Sequence, residues 1–406
     1  MACRGAKTHD VPGALDRPDP RPPSVLFLFS DTGGGHRTAA EAIDRALHRL
    51  AGGRPVGTDM VDAFAACGIF PLREGIKSYG ALLNVQPSPY PALFHLSNGR
   101  TRARIMTELG KPFIRRNFRQ LVERLDPSLV VSVHPLLNEL ARETIDEMGN
   151  RAPLITVITD LVTIHHAWTS DSAADQYVVA SAEAARVCVS RGIPADRVHN
   201  LGLPIRDGFS PSKDPAADKS ALGLDPARRT LLVMSGGEGG GRLRSIVRQV
   251  AGTVRALNLQ VVAICGRNEG MRERMLALAP RFGPDAKVLG FVDNVADYMR
   301  AADALLSKAG PGTIAEAAAC GLPIIICDYI SGQEAGNLGF VESRAAGVVA
   351  LEARDVSATL RRFFGSDPAV LQSYRQNALE SARPHAADDI ARFLLAQLPE
   401  PAKVAV

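Results

Sequence analysis

No run of apolar residues in this 406-residue chain approaches the ~18 that a membrane-spanning helix needs. Its six cysteines (Cys3, Cys67, Cys188, Cys265, Cys320, Cys327) form no C-x-x-C pair. Several stand inside apolar stretches, so they read as reduced packing residues of a cytosolic protein, not as a disulfide framework. No Walker lysine pattern follows any glycine loop, which excludes a P-loop, and the loops do not keep G-x-G-x-x-G spacing. The first 23 residues contain Pro12, Pro18, Pro20, Pro22 and Pro23 but no apolar segment, and predict a disordered tail instead of a signal peptide. Strong net charge is missing too, the balance being only +4. Basic residues instead concentrate locally: Arg100, Arg102, Arg104, Lys111, Arg115, Arg116, Arg119 and Arg124 face only Glu108 and Glu123 in that stretch, leaving the rest of the chain slightly acidic.

What is present is an ordinary globular composition, 46% apolar and 22% charged, in a chain long enough for two cores. Strands and helices alternate throughout. Strands are expected near 24–30, 55–61, 128–133, 154–159, 176–180 and 197–201, then near 230–235, 260–265, 286–290, 304–307, 323–327 and 347–350. Between the sets, 204–229 carries Pro204, Pro211, Pro215 and Pro226 among charges and predicts a hinge. The expected domains are therefore 24–203 and 230–386, followed by a last helix within 387–406.

Two loops stand out. SVLFLFS (Ser24–Ser30) is an apolar strand that runs into Asp31-Thr32-Gly33-Gly34-Gly35-His36-Arg37 and then into an amphipathic helix. His36 thus falls where a strand meets a helix start, where the helix dipole disfavours its charged form and leaves it able to accept a proton. The second loop is KAGPGTIAEAAACGLPIII (Lys308–Ile326), followed by QEAGN (Gln333–Asn337). A strand, a glycine-proline turn containing Gly310 and Gly312, and a helix capped by Thr313 with Glu316 at capping-box spacing would present backbone N–H groups to phosphate. The glycines Gly236–Gly241 repeat that arrangement after the strand at 230–235.

These blocks resemble the monogalactosyldiacylglycerol synthases and their bacterial diacylglycerol glycosyltransferase relatives. The resemblance covers nearly the whole chain after residue 23. It implies an α/β fold of the GT-B type, two doubly wound parallel-sheet domains facing across a cleft, with the last helix crossing back to the first domain. In that family the helix-start glutamate, here Glu316, binds the ribose of a UDP-sugar, and Gln333 and Glu334 read the sugar hydroxyls, with Asn337 following. Gly35, Gly236, Gly237, Gly310, Gly312 and Thr313 would line the diphosphate, with Arg242 or Arg244 as possible charged contacts. Phe291 and Val292 resemble the segment that holds uracil, although Phe291 fits a core position equally well. With no D-x-D pair in the sequence, neither a metal nor any other cofactor is expected, and the UDP-sugar is a co-substrate.

In the first half, Thr159-Asp160 and the following His165-His166-Ala167-Trp168 are similar to the family's own segment after this strand. The two histidines on an extended segment lack a carboxylate partner, which argues against a metal. His36 is the expected base, with Asp160 as its partner or substitute. His134, in Ser-Val-His-Pro, marks the cleft mouth or a structural position. The basic run with Arg115, Arg116 and Arg119, beside Tyr90 and Phe94, reads either as an anionic-membrane contact or as a solvated helix face over core. No nucleic-acid motif accompanies it. The function implied is inverting transfer of galactose or glucose from a UDP-sugar to 1,2-diacylglycerol, at the cytoplasmic face of the cell membrane. A UDP-GlcNAc transferase with another lipid-linked acceptor and a UDP-sugar 2-epimerase remain alternatives.

Overall fold

The computed structural model describes residues 22–31, 34–77, 90–234 and 241–399. The first half contains strands β1 (Ser24–Phe29), β2 (Gly57–Asp62), β3 (Leu129–Ser132), β4 (Leu154–Val157), β5 (Gln176–Val179) and β6 (Val198–Asn200). They form one parallel sheet in the order β2-β1-β3-β4-β5-β6. The second half contains β7 (Thr230–Met234), β8 (Gln260–Ile264), β9 (Lys287–Leu289), β10 (Ala304–Lys308), β11 (Ile324–Asp328) and β12 (Gly347–Val349). These pair in parallel as β12-β11-β10-β7-β8-β9.

Helices cover both faces of each sheet, which is why the strands are continuous apolar runs and not alternating ones. Along β1, Val25, Phe27 and Phe29 enter one core while Leu26 and Leu28 enter another. Along β7, Leu231 and Val233 divide in the same way from Leu232 and Met234. In each sheet the order of strand addition switches side once, between β1 and β3 and between β7 and β10. Ligands of doubly wound sheets bind at the carboxyl ends of the strands at such switches. His36 follows β1, His134 follows β3, and the Gly310 turn follows β10.

Two boundaries differ from the sequence expectation. Within 204–229, Phe209 and Leu224 join the second core, and the helix Pro215–Ala221 docks there through Lys219. Lys219 is buried, 2.8 Å from the Asp303 carboxylate and 2.8 Å from the Arg228 carbonyl. Arg229 and Arg375 reach the other oxygen of Asp303 at 2.9 and 3.0 Å. Lys219 and Arg229 of the expected hinge are therefore paired inside the second half, and against the effect of burial these contacts hold the Asp303 pKa below the usual value. The second difference is the helix Pro311–Ala319. It starts at its proline, with Gly310 as N-cap and no side-chain cap, so Thr313 lies within the first turn and does not cap it. Proline's preset φ favours the first helical position over the competing Thr-x-x-Glu signal.

The last helix, Ala386–Gln397, lies against the first half. Ala387, Ile390, Ala391, Leu394 and Leu398 share a core with β1 and the helix Gly35–Leu50. Arg54 caps its end by donating to the Leu395 and Leu398 carbonyls, both at 3.3 Å. The two crossings between halves touch at Gly202, where a Cβ would lie 2.8 Å from the Arg383 Cβ and 3.0 Å from that of Ala386. Its φ of +95° also requires glycine.

Candidate active site

His36 stands in the first turn of the helix Gly35–Leu50, whose N-cap Gly34 takes a left-handed φ of 76°. Its ring meets His134 edge-on at 4.9 Å between centroids and Trp168 at 6.0 Å. Thr159 Oγ1 lies 3.2 Å from Nδ1. Burial pulls the imidazole pKa down to about 4, against the opposing effect of a hydrogen bond to the Val133 carbonyl. His134 is pushed well below its usual range by burial and by the neighbouring His36. The pair is neutral at physiological pH, as a proton acceptor must be. His134 is itself buried, accepting from the Leu136 N–H at 3.4 Å and packed edge-on against Phe64.

Asp160 does not orient His36; its neighbour Thr159 meets that ring. The buried Asp160 carboxylate accepts from Trp168 Nε1 at 2.8 Å, from the His165 backbone and from the Gln333 side chain. Burial raises it to about 6, with those donors and the charge of Arg191 pulling the other way. A carboxylate holding three donors is a fixed acceptor, with most of its roughly four lone-pair sites committed. His165 is extended, as expected, but His166 begins a short 3₁₀ turn, His166–Ser172, which His165 caps. His166 bonds the Asn98 side chain at 2.8 Å. Among the described residues no group of three or more His, Cys, Asp or Glu could hold a metal ion.

Across the cleft, Gly35 and Gly312 both open onto space, since a Cβ on either would meet nothing within 4 Å. Glu316 is half-buried in the helix Pro311–Ala319, and burial lifts its carboxyl to about 7, with Arg206 drawing it back. Neither Arg206 nor Lys308 was singled out by sequence. Lys308, at the end of β10, is ion-paired with Glu334 beneath the Gly310 turn. Glu334 is only 2% exposed, and its second oxygen accepts from the Ile330 N–H at 2.8 Å. It therefore braces the loop in this state, whereas Gln333 reaches Asp160. Asn337 is buried and donates to the Ala309 carbonyl at 2.8 Å, fixing the same turn.

Phe291 is not core: it is 60% exposed, with the Arg267 guanidinium 4.8 Å from its ring centroid, while Val292 is half-buried in the second core. Arg242 turns from the cleft to Glu352 at 2.9 Å. Gly236 and Gly237 lie outside the described residues, as does the Tyr90 side chain. Phe94 is buried, with its ring against His165 and the backbone of Gly332. The helix Arg115–Leu125 places Phe118, Leu121 and Val122 in core, so its apolar side is not a membrane face; Arg115, Arg116 and Arg119 are exposed. Large apolar side chains are exposed at Ile69 and Phe70, and at Ile105 and Leu109 one turn apart on the helix Arg100–Gly110.

Residues 36–205 match the monogalactosyldiacylglycerol (MGDG) synthase family, and residues 230–360 match the glycosyltransferase family 28 C-terminal domain. A probable monogalactosyldiacylglycerol synthase 2 of Oryza sativa subsp. japonica is 33% identical over 389 residues, 94% of this chain and 82% of that protein. The chain belongs to the MGDG synthase family. Monogalactosyldiacylglycerol synthase 1 of Arabidopsis thaliana is likewise 33% identical, over 90% of this chain and 69% of its own length. Solved structures share the fold at low identity. Acinetobacter baumannii MurG aligns with TM-score 0.56 and 14% identity, covering 92% of this chain and all of that one. A putative UDP-N-acetylglucosamine 2-epimerase from Listeria monocytogenes gives 0.61 and 13%, covering 94% and 99%. The architecture is GT-B, and the MGDG synthase family is one of glycosyltransferases.

Proposed function

We propose that this protein transfers a hexose, galactose foremost and glucose as the alternative, from its UDP conjugate to the free hydroxyl of 1,2-diacylglycerol with inversion at the anomeric carbon. The observation that carries the reading is one chain of contacts spanning the cleft. His36 packs on Trp168, Trp168 donates to Asp160, and Asp160 accepts from Gln333 beside the helix Pro311–Ala319. A neutral imidazole is thus linked through three side chains to the donor half, whose helix Pro311–Ala319 has an N-terminus suited to a diphosphate. His36 takes the proton of the acceptor hydroxyl, whose oxygen attacks the anomeric carbon as the bond to UDP breaks. The helix amides receive the charge developing on UDP, and Glu316 accepts from the ribose hydroxyls.

The acceptor lies in a bilayer, so the reading includes peripheral attachment to an anionic, cytoplasmic membrane face. Exposed Phe70 (75%) and Leu109 (70%) support it. The Ile69 N–H, next to Phe70, donates at 2.9 Å to the carbonyl of Phe113, four residues after Leu109. Among the described residues no helix is long and apolar enough to cross a membrane.

Purified protein is incubated with UDP-galactose, UDP-glucose and UDP-GlcNAc in turn, with and without diacylglycerol micelles, and the lipid and nucleotide products are read by mass spectrometry for composition and by proton NMR for anomeric and epimeric configuration. A β-linked hexosyl-diacylglycerol is expected. UDP release only with another lipid acceptor, or a new UDP-sugar epimer without any acceptor, would replace the reading with the transferase or epimerase alternative.

A further inference from the structure

We propose that Asp160 of the acceptor half is a positioning residue for donor recognition: it fixes the Gln333 amide so that Nε2 faces Asp160 and Oε1 faces the hexose. The inference rests on the donor reading above. An ionised carboxylate only accepts hydrogen bonds, so the Gln333 group it engages must be the NH₂. The Gln333 carbonyl is then left to accept from a sugar hydroxyl. A side-chain amide free to turn by 180° would present either end and tell hydroxyl orientations apart poorly; here the far side of the cleft removes that choice.

The surrounding geometry holds both partners in place. Asp160 Oδ2 is fixed by Trp168 Nε1 at 2.8 Å in a buried setting. On either side of Gln333 the donor loop is pressed against the first half at a glycine. At Gly336 the N–H donates to Thr163 Oγ1 at 3.1 Å, and a Cβ would lie 2.6 Å from that oxygen and 2.7 Å from Val162 Cγ1. At Gly332, with φ of +88°, a Cβ would lie 2.5 Å from the Phe94 ring. Two close approaches four residues apart therefore bracket the side chain that reads the sugar.

The test compares calorimetric affinities for UDP and for UDP-galactose without acceptor, so that no turnover enters. In Asp160→Asn, one acceptor oxygen remains for Trp168 and the new NH₂ meets Gln333, turning its amide round. UDP-galactose affinity is expected to fall roughly tenfold, the size of one lost hydrogen bond, with UDP affinity unchanged. The double variant Asp160→Asn/Gln333→Glu restores an acceptor facing the sugar and should recover most of the loss. Gln333→Glu alone sets two carboxylates together and should not. Unchanged UDP-galactose affinity in Asp160→Asn, or an equal loss for UDP, overturns the proposal. If Asp160→Asn does not fold, the double variant must still bind UDP-galactose better than Gln333→Glu alone, and equal or weaker binding overturns it. A wild type that binds neither ligand removes the donor reading itself.

Discussion

His36 makes two separable predictions. Replacing it by alanine should lower kcat by about 10²–10⁴-fold while UDP affinity stays near wild type, since in the proposed reaction this group acts only on the acceptor proton. Single-turnover assays alongside UDP titration check this. Its pKa also links to stability. Between about 4 and the ordinary 6.5, the unfolded chain binds a proton at His36 that the folded chain refuses. This contribution is complete above 6.5 and is lost as pH falls towards 4, so the acid limb of Tm against pH should flatten in His36→Gln. The pKa of Glu316 is shifted the other way, upward. With its carboxyl lifted to about 7, donor binding should strengthen as pH rises through 7, and the KM for UDP-galactose should lose that slope in Glu316→Gln. The positions of His36 and Glu316 were legible because each belongs to a strand-turn-helix motif written in consecutive residues. Thr159, Lys308 and Arg206 were not. Their roles depend on partners 123, 26 and 110 residues away in sequence, and no local spacing encodes such pairs.

At the scale of elements, all twelve strands lay near their expected positions because buried parallel strands are apolar runs bounded by turn residues. The helix Arg115–Leu125 was ambiguous for a physical reason: an apolar stripe beside arginines has the same period whether it meets core or lipid. Its stripe is core. The attachment prediction therefore moves to the corner formed by Ile69-Phe70 and the helix Arg100–Gly110. Each large apolar side chain that enters the bilayer contributes about 1.5–3 kcal/mol, against about 1 kcal/mol for an arginine near an anionic surface. Phe70→Ser/Leu109→Ser should thus weaken co-sedimentation with anionic vesicles more than neutralising Arg115, Arg116 and Arg119 together. The loss in the serine variant should persist at high salt, whereas that of the arginine variant should fade as the Debye length shortens. Equal binding by the serine variant and wild type would sink the attachment surface.

At the scale of the molecule, the last helix completes the first half from the far end of the chain. Leu394 is fully buried against the helix Gly35–Leu50, so Leu394→Ala should cost about 2–5 kcal/mol. That loss should appear in urea melts of the first half, although residue 394 follows the entire second half. Circular dichroism with limited proteolysis of each half measures it. The same return path has a mechanical consequence. Two bodies joined at one point can swivel freely, but these are joined at two adjacent points, where Gly202 abuts Arg383 and Ala386. A pair of neighbouring joints behaves like a door hinge and leaves one easy rotation, about the line through them. The ion pair of Arg344 with Glu183, at 3.0 Å, and the seam at Thr163 and Gly336 also join the two halves. Any opening between the halves is then expected to be a swing along one arc, which returns them to the same alignment on closing.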